Sequence, residues 1–440
     1  MYINQGKMQF ENDEIKELFG IKDGEKSFPI YLQNIIVDLI YKEIGLVRTN
    51  NDIFSSLSRI DKNVVLDVIQ NIESMYSLIQ KTDYSNKYLT YLWYYLPNNI
   101  YKVWAPLIDL ATLGELKTNI KILDIGTGPG SLPIGVIELY KVLAEKFSEQ
   151  KFNIEFVLVD SQKKFLEYAK SIINKLKDFL PKNLSIKVNF KLCEVNSKEN
   201  LIENYKFDVI SMSNFINHFE HNDDFDAFEF LSKLKNNLLY DGSIIIIEPG
   251  SKEECRDMKL LRNRLVNEGI YNLFSPCLSI WEERQNINCA CFTTYSMPIK
   301  KPELISFLNE RGLHKNRYKE YVPFNYLVLR TDGLMKYRVC KNKQSYFTIK
   351  EVVEGNFEVG KRYNIKGIVK KKSFKNNSFC ICDGSVTDRD FWIKLENDVV
   401  DEVKELFNRI NMGELVNVKK VQFKDNNFIL DKKSKLDVFF

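Results

Sequence analysis

The residues with the clearest chemical content are Asp124-Ile-Gly126-Thr127-Gly128-Pro-Gly130. An apolar run, Ile120-Lys-Ile-Leu-Asp-Ile, precedes them, and a helical pattern begins near Ser131. Strand, glycine turn and helix in that order let the main chain come close to a bound nucleotide. The glycines read GxGxG, not the GxGxxG of dinucleotide sites. Asp124 adds a carboxylate at the strand end, suited to holding an ammonium group. Asp160-Ser161 closes a second apolar run, where a carboxylate can take both ribose hydroxyls. Glu194 follows a third and is placed to accept from an adenine amino group, and Ser213-Asn214 closes a fourth, facing the reacting group. Taken singly, a glycine turn can merely pack helix on strand, and an acid at a strand end can merely be solvated. The ordered set is what a nucleoside with an amino-acid tail requires.

The cysteines are the second chemical cluster. Cys277, Cys289 and Cys291 lie within fifteen residues, with Cys255 before them and Cys382 far downstream. Four thiolates can bind tetrahedral zinc or an iron–sulfur cluster. The spacing lacks both CxxC pairs and CxxxCxxC, so it does not choose a metal. Cys380 should point to the opposite side of the strand from Cys382, and Cys193 and Cys340 read as structural. A third group is Lys370-Lys371-Lys372-Ser-Phe374-Lys375, where cations and an aromatic ring suit phosphate contact with base stacking, or else a solvated turn. From residue 345 onward 18 Lys and Arg face 15 Asp and Glu, so the tail is not strongly basic.

No catalytic residue stands out. An exocyclic amine acceptor usually calls for an Asn/Asp-Pro-Pro-aromatic turn after the fourth strand, but Ser213-Asn214-Phe215-Ile216 has no proline. Cys277 lies beyond the fifth strand, away from where a cytosine nucleophile would act. His218 reads as a general base or as a helix-start histidine beside Glu220 and His221.

The elements that must position these groups follow from periodicity. Residues 1–112 repeat apolar positions at three and four, as in Tyr31–Tyr41, and are expected to form a helical N-terminal domain. Tyr88 to Trp104 is rich in aromatics, interrupted by Pro97, and reads as core. Strands at 119–125, 153–160, 186–192, 207–212 and 243–248 then alternate with helices near 131–148, 162–177, 224–237 and 251–267. That pattern makes the chain an α/β protein with a parallel sheet across 113–340. A further strand pair is expected around 318–330. Residues 270–300 lose all period and look like an inserted loop. From 345 to 440 short alternating strands, with one helix at Asp401–Ile410, fit a small closed barrel of the oligonucleotide-binding kind.

Size and composition agree with this layout. A chain of 440 residues, 44% apolar and 28% charged, has room for two or three domains with ample core. No apolar run reaches about 18 residues, so no membrane span is expected. The N-terminus lacks the order of a signal peptide. Together these features suggest a cytoplasmic protein whose thiols are not disulfides. The net charge of +4 permits a nucleic-acid partner without arguing for one.

Two resemblances sharpen these expectations. The acid-led glycine loop resembles the S-adenosylmethionine loop of class I methyltransferases, which implies a Rossmann-like fold and that cofactor. Glu248-Pro-Gly250, a helix carrying Arg262 and Arg264, Ser275-Pro-Cys277, Cys291-Phe292 and Cys382-Asp383-Gly384 resemble the methyltransferase-like proteins of the small ribosomal subunit. Tyr88-Leu through Leu96-Pro97-Asn-Asn-Ile-Tyr-Lys-Val is similar to the helical segment of that family. The resemblance spans roughly 85–395. It implies the small ribosomal subunit or its RNA as partner and a [4Fe-4S] cluster held by three cysteines of the insert and one of the tail. Cys277, Cys291 and Cys382 match that ligand set. The middle insert cysteine does not, because the matching stretch reads Trp281-Glu-Glu-Arg284, and the family's Pro-His after the first cysteine is replaced by Leu278-Ser279. Cys289 fills the vacancy, with Cys255 as its alternative and zinc as the alternative metal.

Overall fold

Five parallel strands form the sheet on which the glycine loop hangs: β1 (Asn119–Ile125), β2 (Phe152–Asp160), β3 (Leu184–Leu192), β4 (Phe207–Ser213) and β5 (Leu238–Pro249). Their spatial order is β5-β4-β1-β2-β3. The order reverses between β1 and β4, and in doubly wound sheets ligands bind outside the carboxyl ends at that point. Ile244–Ile247 of β5 are almost fully buried, as a strand covered on both faces should be. Helices α1 (Ser131–Lys146), α2 (Lys163–Leu176) and α3 (Ala227–Leu234) connect the strands.

This computed structural model describes residues 2–10, 14, 21–22, 25–77, 87–195, 205–219, 225–277, 279–281, 287–289, 293–297, 299–313, 323–339, 346–355, 360–386 and 389–439. The chain divides into two compact units, Met1–Pro249 with Ser296–Phe324, and Gly250–Tyr295 with Asn325–Phe440. Among the described residues no helix is long and apolar enough to cross a membrane.

In the first unit the sheet is preceded by helices at Ile30–Glu43, Lys62–Ser77 and Trp104–Thr112. The first 112 residues are not helical throughout. Tyr2–Asn4 and Lys7–Gln9 form an antiparallel hairpin that also pairs with Leu116–Lys117. The two turn residues, Gln5 at φ +48° and Gly6 at φ +76°, both take the left-handed backbone that two-residue hairpins favour. Strands of three residues are too short to show alternation, which is why the sequence reads as helical there. The aromatic stretch winds through a π-helical turn at Tyr91–Tyr95 and a 3-10 turn at Ile100–Val103. Trp93 and Trp104 are fully buried, and their indole N–H groups donate to the carbonyls of Leu304 at 3.2 Å and Gly135 at 2.8 Å. Gly135 lies so close to the preceding turn that a Cβ there would sit 1.9 Å from the Ile100 carbonyl oxygen. A residue without a side chain is what lets α1 settle against the aromatic segment.

The second unit holds α4 (Lys252–Asn267), the antiparallel pair β6 (Asn272–Ser275) and β7 (Phe324–Arg330), and a barrel. Its strands are β8 (Arg362–Ser373), β9 (Ser378–Cys382), β10 (Phe391–Leu395), β11 (Leu415–Lys424) and β12 (Asn427–Leu430). They pair in the ring β8-β9-β10-β12-β11, and β11 closes back on β8. β10 and β12 run parallel, the other pairs antiparallel. Register shifts between Tyr363 and Ile365 and between Val369 and Lys371 let long β8 curve between two partners. Helix α5 (Asp401–Arg409) sits between β10 and β11, burying Val403 and Phe407 in the barrel core with Phe379, Phe391 and Phe428. A last strand, β13 (Lys435–Phe439), pairs with β11 outside the ring.

Candidate functional site

The glycine loop is held by β2 rather than by its own strand. The N–H groups of Gly126 and Thr127 both donate to the Val159 carbonyl, at 2.9 and 3.0 Å. Gly126, Gly128 and Gly130 have φ of +68°, +54° and +94°, where L-residues are strained. Each glycine has a separate spatial reason. A Cβ on Gly126 would meet the Phe215 ring at 2.4 Å and one on Gly130 would meet Ala169 at 3.1 Å, whereas one on Gly128 would meet nothing within 4 Å. The loop thus packs on either side and stays open at Gly128.

Two buried carboxyls flank that opening. Asp124 pairs in register with Ser211 of β4, whose hydroxyl donates to its Oδ1 at 2.8 Å. Asp124 Oδ2 is buried with no hydrogen-bond partner. Burial pushes this carboxyl up to about 7, with the hydroxyls of Thr127 and Ser211 pulling down and Asp160 adding to the rise. Asp160 accepts from the N–H of Gly128 at 2.8 Å and of Gln162 at 2.7 Å. Burial also raises its pKa, opposed by the backbone donors of Gln162, Gly128 and Ser161. An uncommitted buried carboxylate oxygen is costly, and a cationic ligand would satisfy it.

The remaining sequence-named residues lie at or just past the carboxyl ends of neighbouring strands. Glu194 is exposed two residues past the end of β3, and the Cys193 N–H just before it donates to the Asp160 carbonyl at 3.0 Å. Ser213 ends β4, and Asn214 takes a left-handed φ of +49° while its N–H donates to the Ile247 carbonyl at 2.8 Å. Sequence reasoning missed Glu248. This buried carboxylate ends the all-apolar run of β5, and its Oε1 accepts from the N–H groups of Phe215 at 3.1 Å and Ile216 at 2.9 Å. Phe215, lying across Gly126, was likewise unforeseen as part of the site. An acid closing a wholly buried strand was the available signal for Glu248; nothing in the sequence marks Phe215. The His218 side chain, Glu220 and His221 lie outside the described residues.

The cysteines are only partly brought together. Burial pushes the Cys382 thiol up to about 12, Lys370 pulls it down, and nearby Cys277 adds to the rise. Cys289 lies against Arg262, whose Nη2 is 3.0 Å from the sulfur and 2.9 Å from the Cys289 carbonyl oxygen. Cys255 is fully buried one side of that helix. Among the described residues no three of His, Cys, Asp and Glu converge as a metal-holding group. Cys291 and Cys340 lie outside the described residues. The insert is joined to the end of β9 by polar contacts that the sequence did not announce. Asp383 Oδ2 accepts from the Trp281 indole at 2.7 Å and the Ile349 N–H at 2.8 Å, and the Asp383 carbonyl accepts from Ile280 N–H at 3.2 Å. Gly384, at φ +82°, passes so close that a Cβ would lie 2.6 Å from Ser279 Cα.

The lysine run of the tail is largely committed within the barrel. Lys370 is buried and shares Asp390 with Lys371, each at 2.7 Å. Lys372 donates to the carbonyls of Asn408 and Ile410 and lies over the rings of Phe374 and Phe407. Phe374 is 65% exposed at the β8–β9 turn, with Lys375 beside it.

Comparison with known proteins bears on the first unit. A family model described as a methyltransferase domain matches residues 116–310. No curated protein matches the chain. Similar solved structures include an S-adenosylmethionine-dependent methyltransferase from Clostridium acetobutylicum ATCC 824, 16% identical, covering 53% of this chain and 92% of that one at a TM-score of 0.26. Another is a methyltransferase of the same dependence from Aquifex aeolicus, 14% identical, covering 61% and 99% at 0.28. A methyltransferase from Pyrococcus furiosus is 15% identical, covering 52% and 82% at 0.28. The side chains present fit the cofactor: the orphaned Asp124 oxygen suits its ammonium, Gly128 leaves space, and Asp160 can still accept from a ribose. Residues 116–310, somewhat less than half of the chain, are thus similar to a methyltransferase domain.

Proposed function

We propose that the protein methylates RNA of the small ribosomal subunit in the cytoplasm, using S-adenosylmethionine, and that its insert carries a metal–thiolate centre. The observation that carries methyl transfer is the uncommitted Asp124 oxygen beside the open Gly128 at the β1–β4 switch point. Bound there, the cofactor supplies a methyl group on a sulfonium, which leaves by in-line displacement and mostly needs positioning. Asp124 and Asp160 would hold its two ends. Glu248 fixes the main chain after β4, where the acceptor must approach.

The ribosomal acceptor draws its support from the family resemblance and from the barrel. A five-stranded ring with a helix between its third and fourth strands is the layout of oligonucleotide-binding barrels. Exposed Phe374 with Lys375 suits stacking and phosphate contact. For the metal centre, the support is the family resemblance, together with the influence of Cys277 on the raised Cys382 thiol and the sulfur contact of Arg262. Cys277, Cys289 and Cys382 would be ligands, with Cys291 or Cys255, and a [4Fe-4S] cluster is favoured over zinc.

A second reading, binding without transfer, gains from the end of β4, where Ser213, Asn214 and Phe215 offer no ionisable group. The test is to incubate the full chain with methyl-labelled cofactor and small subunits from cells lacking the protein. Label in ribosomal RNA is expected. Cofactor binding without label would favour an assembly factor, and label in protein or small molecules would replace the acceptor. Iron, sulfide and zinc measured on protein purified without oxygen decide the metal.

A further inference from the structure

One corner of the barrel gathers cations that its own carboxylates do not neutralise. Lys419 of β11 and Lys435 of β13 stand directly opposite each other in register, and like charges so placed destabilise a sheet. Lys420 falls in a bulge, because Val418 pairs with Ile365 and Val421 with Tyr363, which leaves one residue more on β11. Its φ of +56° is a backbone that lysine rarely adopts. Three contacts hold it there. Its N–H donates to Asn364 Oδ1 at 2.9 Å, and its carbonyl accepts from Arg362 Nη1 at 2.6 Å and from the Ser434 hydroxyl at 3.1 Å. Strain that the surroundings over-determine clusters at functional positions. Ser434 also ties this spot to the turn between β12 and β13, where Asp431 Oδ1 accepts from the Lys433 N–H at 2.9 Å and the Ser434 hydroxyl at 3.2 Å. Lys432 and Lys433 of that turn are exposed, as are Lys420 and Lys435. The carboxylates close by are already taken. Arg362 pairs with Asp431 at 2.5 and 3.0 Å and holds its carboxyl down to about 2, and Lys419 pairs with Asp437 at 2.8 Å. Among the described residues Lys420, Lys432, Lys433 and Lys435 enter no ion pair. Lysines often blunt a sheet edge, which accounts for Lys435 on β13 but not for Lys420 or the Lys432-Lys433 turn.

We propose that this corner binds the phosphate backbone of a helical RNA segment, with Lys420, Lys432, Lys433 and Lys435 as its contacts. The inference rests on the reading of RNA as the partner, and it adds a second surface apart from the β8–β9 turn, where a single strand would stack. Tyr346, the ring on this face, already carries Lys366 Nζ at 4.4 Å and accepts from Asn417 at its hydroxyl. A base stacking there would compete with Lys366. Phosphates are thus the groups to which the corner is matched, and a helical segment presents them in a fixed array with its bases already stacked.

The test measures binding of the full chain to a short RNA duplex, and to a single strand of the same length, across salt concentrations. Wild type is expected to hold the duplex with a log–log slope of about −3.6, as four phosphate contacts give. Replacing Lys432, Lys433 and Lys435 together by alanine should weaken duplex binding about tenfold or more and bring the slope to about −0.9. That variant should melt no lower than wild type, since the Lys419–Lys435 repulsion is gone, so lost binding is not lost fold. Lys420→Asn, which suits the left-handed backbone, should remove one contact and shift the slope by about 0.9. Duplex affinity and slope unchanged in both variants would overturn the proposal. Wild-type binding to single strands alone would overturn it and leave the RNA reading intact, whereas binding to neither RNA would remove both. Retention on phosphatidylserine vesicles with none on the duplex would reassign the corner to a membrane surface.

Discussion

At the scale of single residues, Asp124 is the group whose chemistry most depends on its surroundings. Its carboxyl is raised from 3.8 to about 7 by burial. A raised acid adds stability below its unfolded value and loses it as pH climbs through the folded one, so this contribution is present below about pH 4 and gone above 7. Asp124→Asn removes the titration. The melting point of the cofactor-free variant should rise relative to wild type between pH 4 and 8, while its affinity for the cofactor falls at least tenfold. A flat difference across that range would refute the assignment. Asp124, Asp160 and the three glycines were readable in the sequence because each follows an apolar run that fixes where the strand ends. Glu248 and Phe215 were not, since their roles depend on which strand lies beside which. The lysines of the tail looked free in the sequence, yet Asp390, fifteen residues beyond Lys375, engages two of them.

At the scale of elements, the sheet was legible almost to the residue. β1 begins and ends where the apolar run does, and β3 and β5 start earlier only because their outer ends pair beyond the apolar stretch. The barrel strands were equally plain from alternation between Asn, Asp and Gly turns. What escaped was close packing between elements that share no period. Gly135 looks like an ordinary helix interior glycine, which costs about 1 kcal/mol relative to Ala, so on propensity alone Gly135→Ala should stabilise. The Ile100 carbonyl at 1.9 Å from the added carbon reverses that sign. We expect a loss of about 1–3 kcal/mol, the usual cost of overpacking, read by urea unfolding. A gain would show that the turn at Ile100–Val103 moves aside freely. The hairpin at Gln5-Gly6 escaped for the opposite reason, because strands of three residues carry no pattern.

For the whole molecule, composition indicated a well-cored chain without a membrane helix, and the description of two units with large buried cores fits that ample core. The boundary between units was not legible. It falls after β5 and returns within β7, so neighbouring stretches of sequence belong to different units. The weak net charge bears on the proposed affinity for RNA. With Lys370 and Lys371 sharing Asp390, few cations of the run remain for phosphates. On the proposed reading, binding of single-stranded ribosomal RNA should therefore weaken only gently with salt. Two phosphate contacts would give a log–log slope of about −1.4. A slope several times steeper would point to a basic surface other than the β8–β9 turn.

If the cofactor binds as proposed, the buried carboxyl at the β1–β4 switch point also makes its uptake an exchange reaction. Burial, which raises the Asp124 carboxyl to about 7, favours its protonated form in the cofactor-free protein. On the proposed reading an arriving ammonium would have to evict that proton, so loading would release acid to the medium and the heat of loading would carry the ionisation enthalpy of the buffer. Acidification would then compete with the proposed cofactor for one oxygen, and the loaded fraction would follow the acidity of the surroundings.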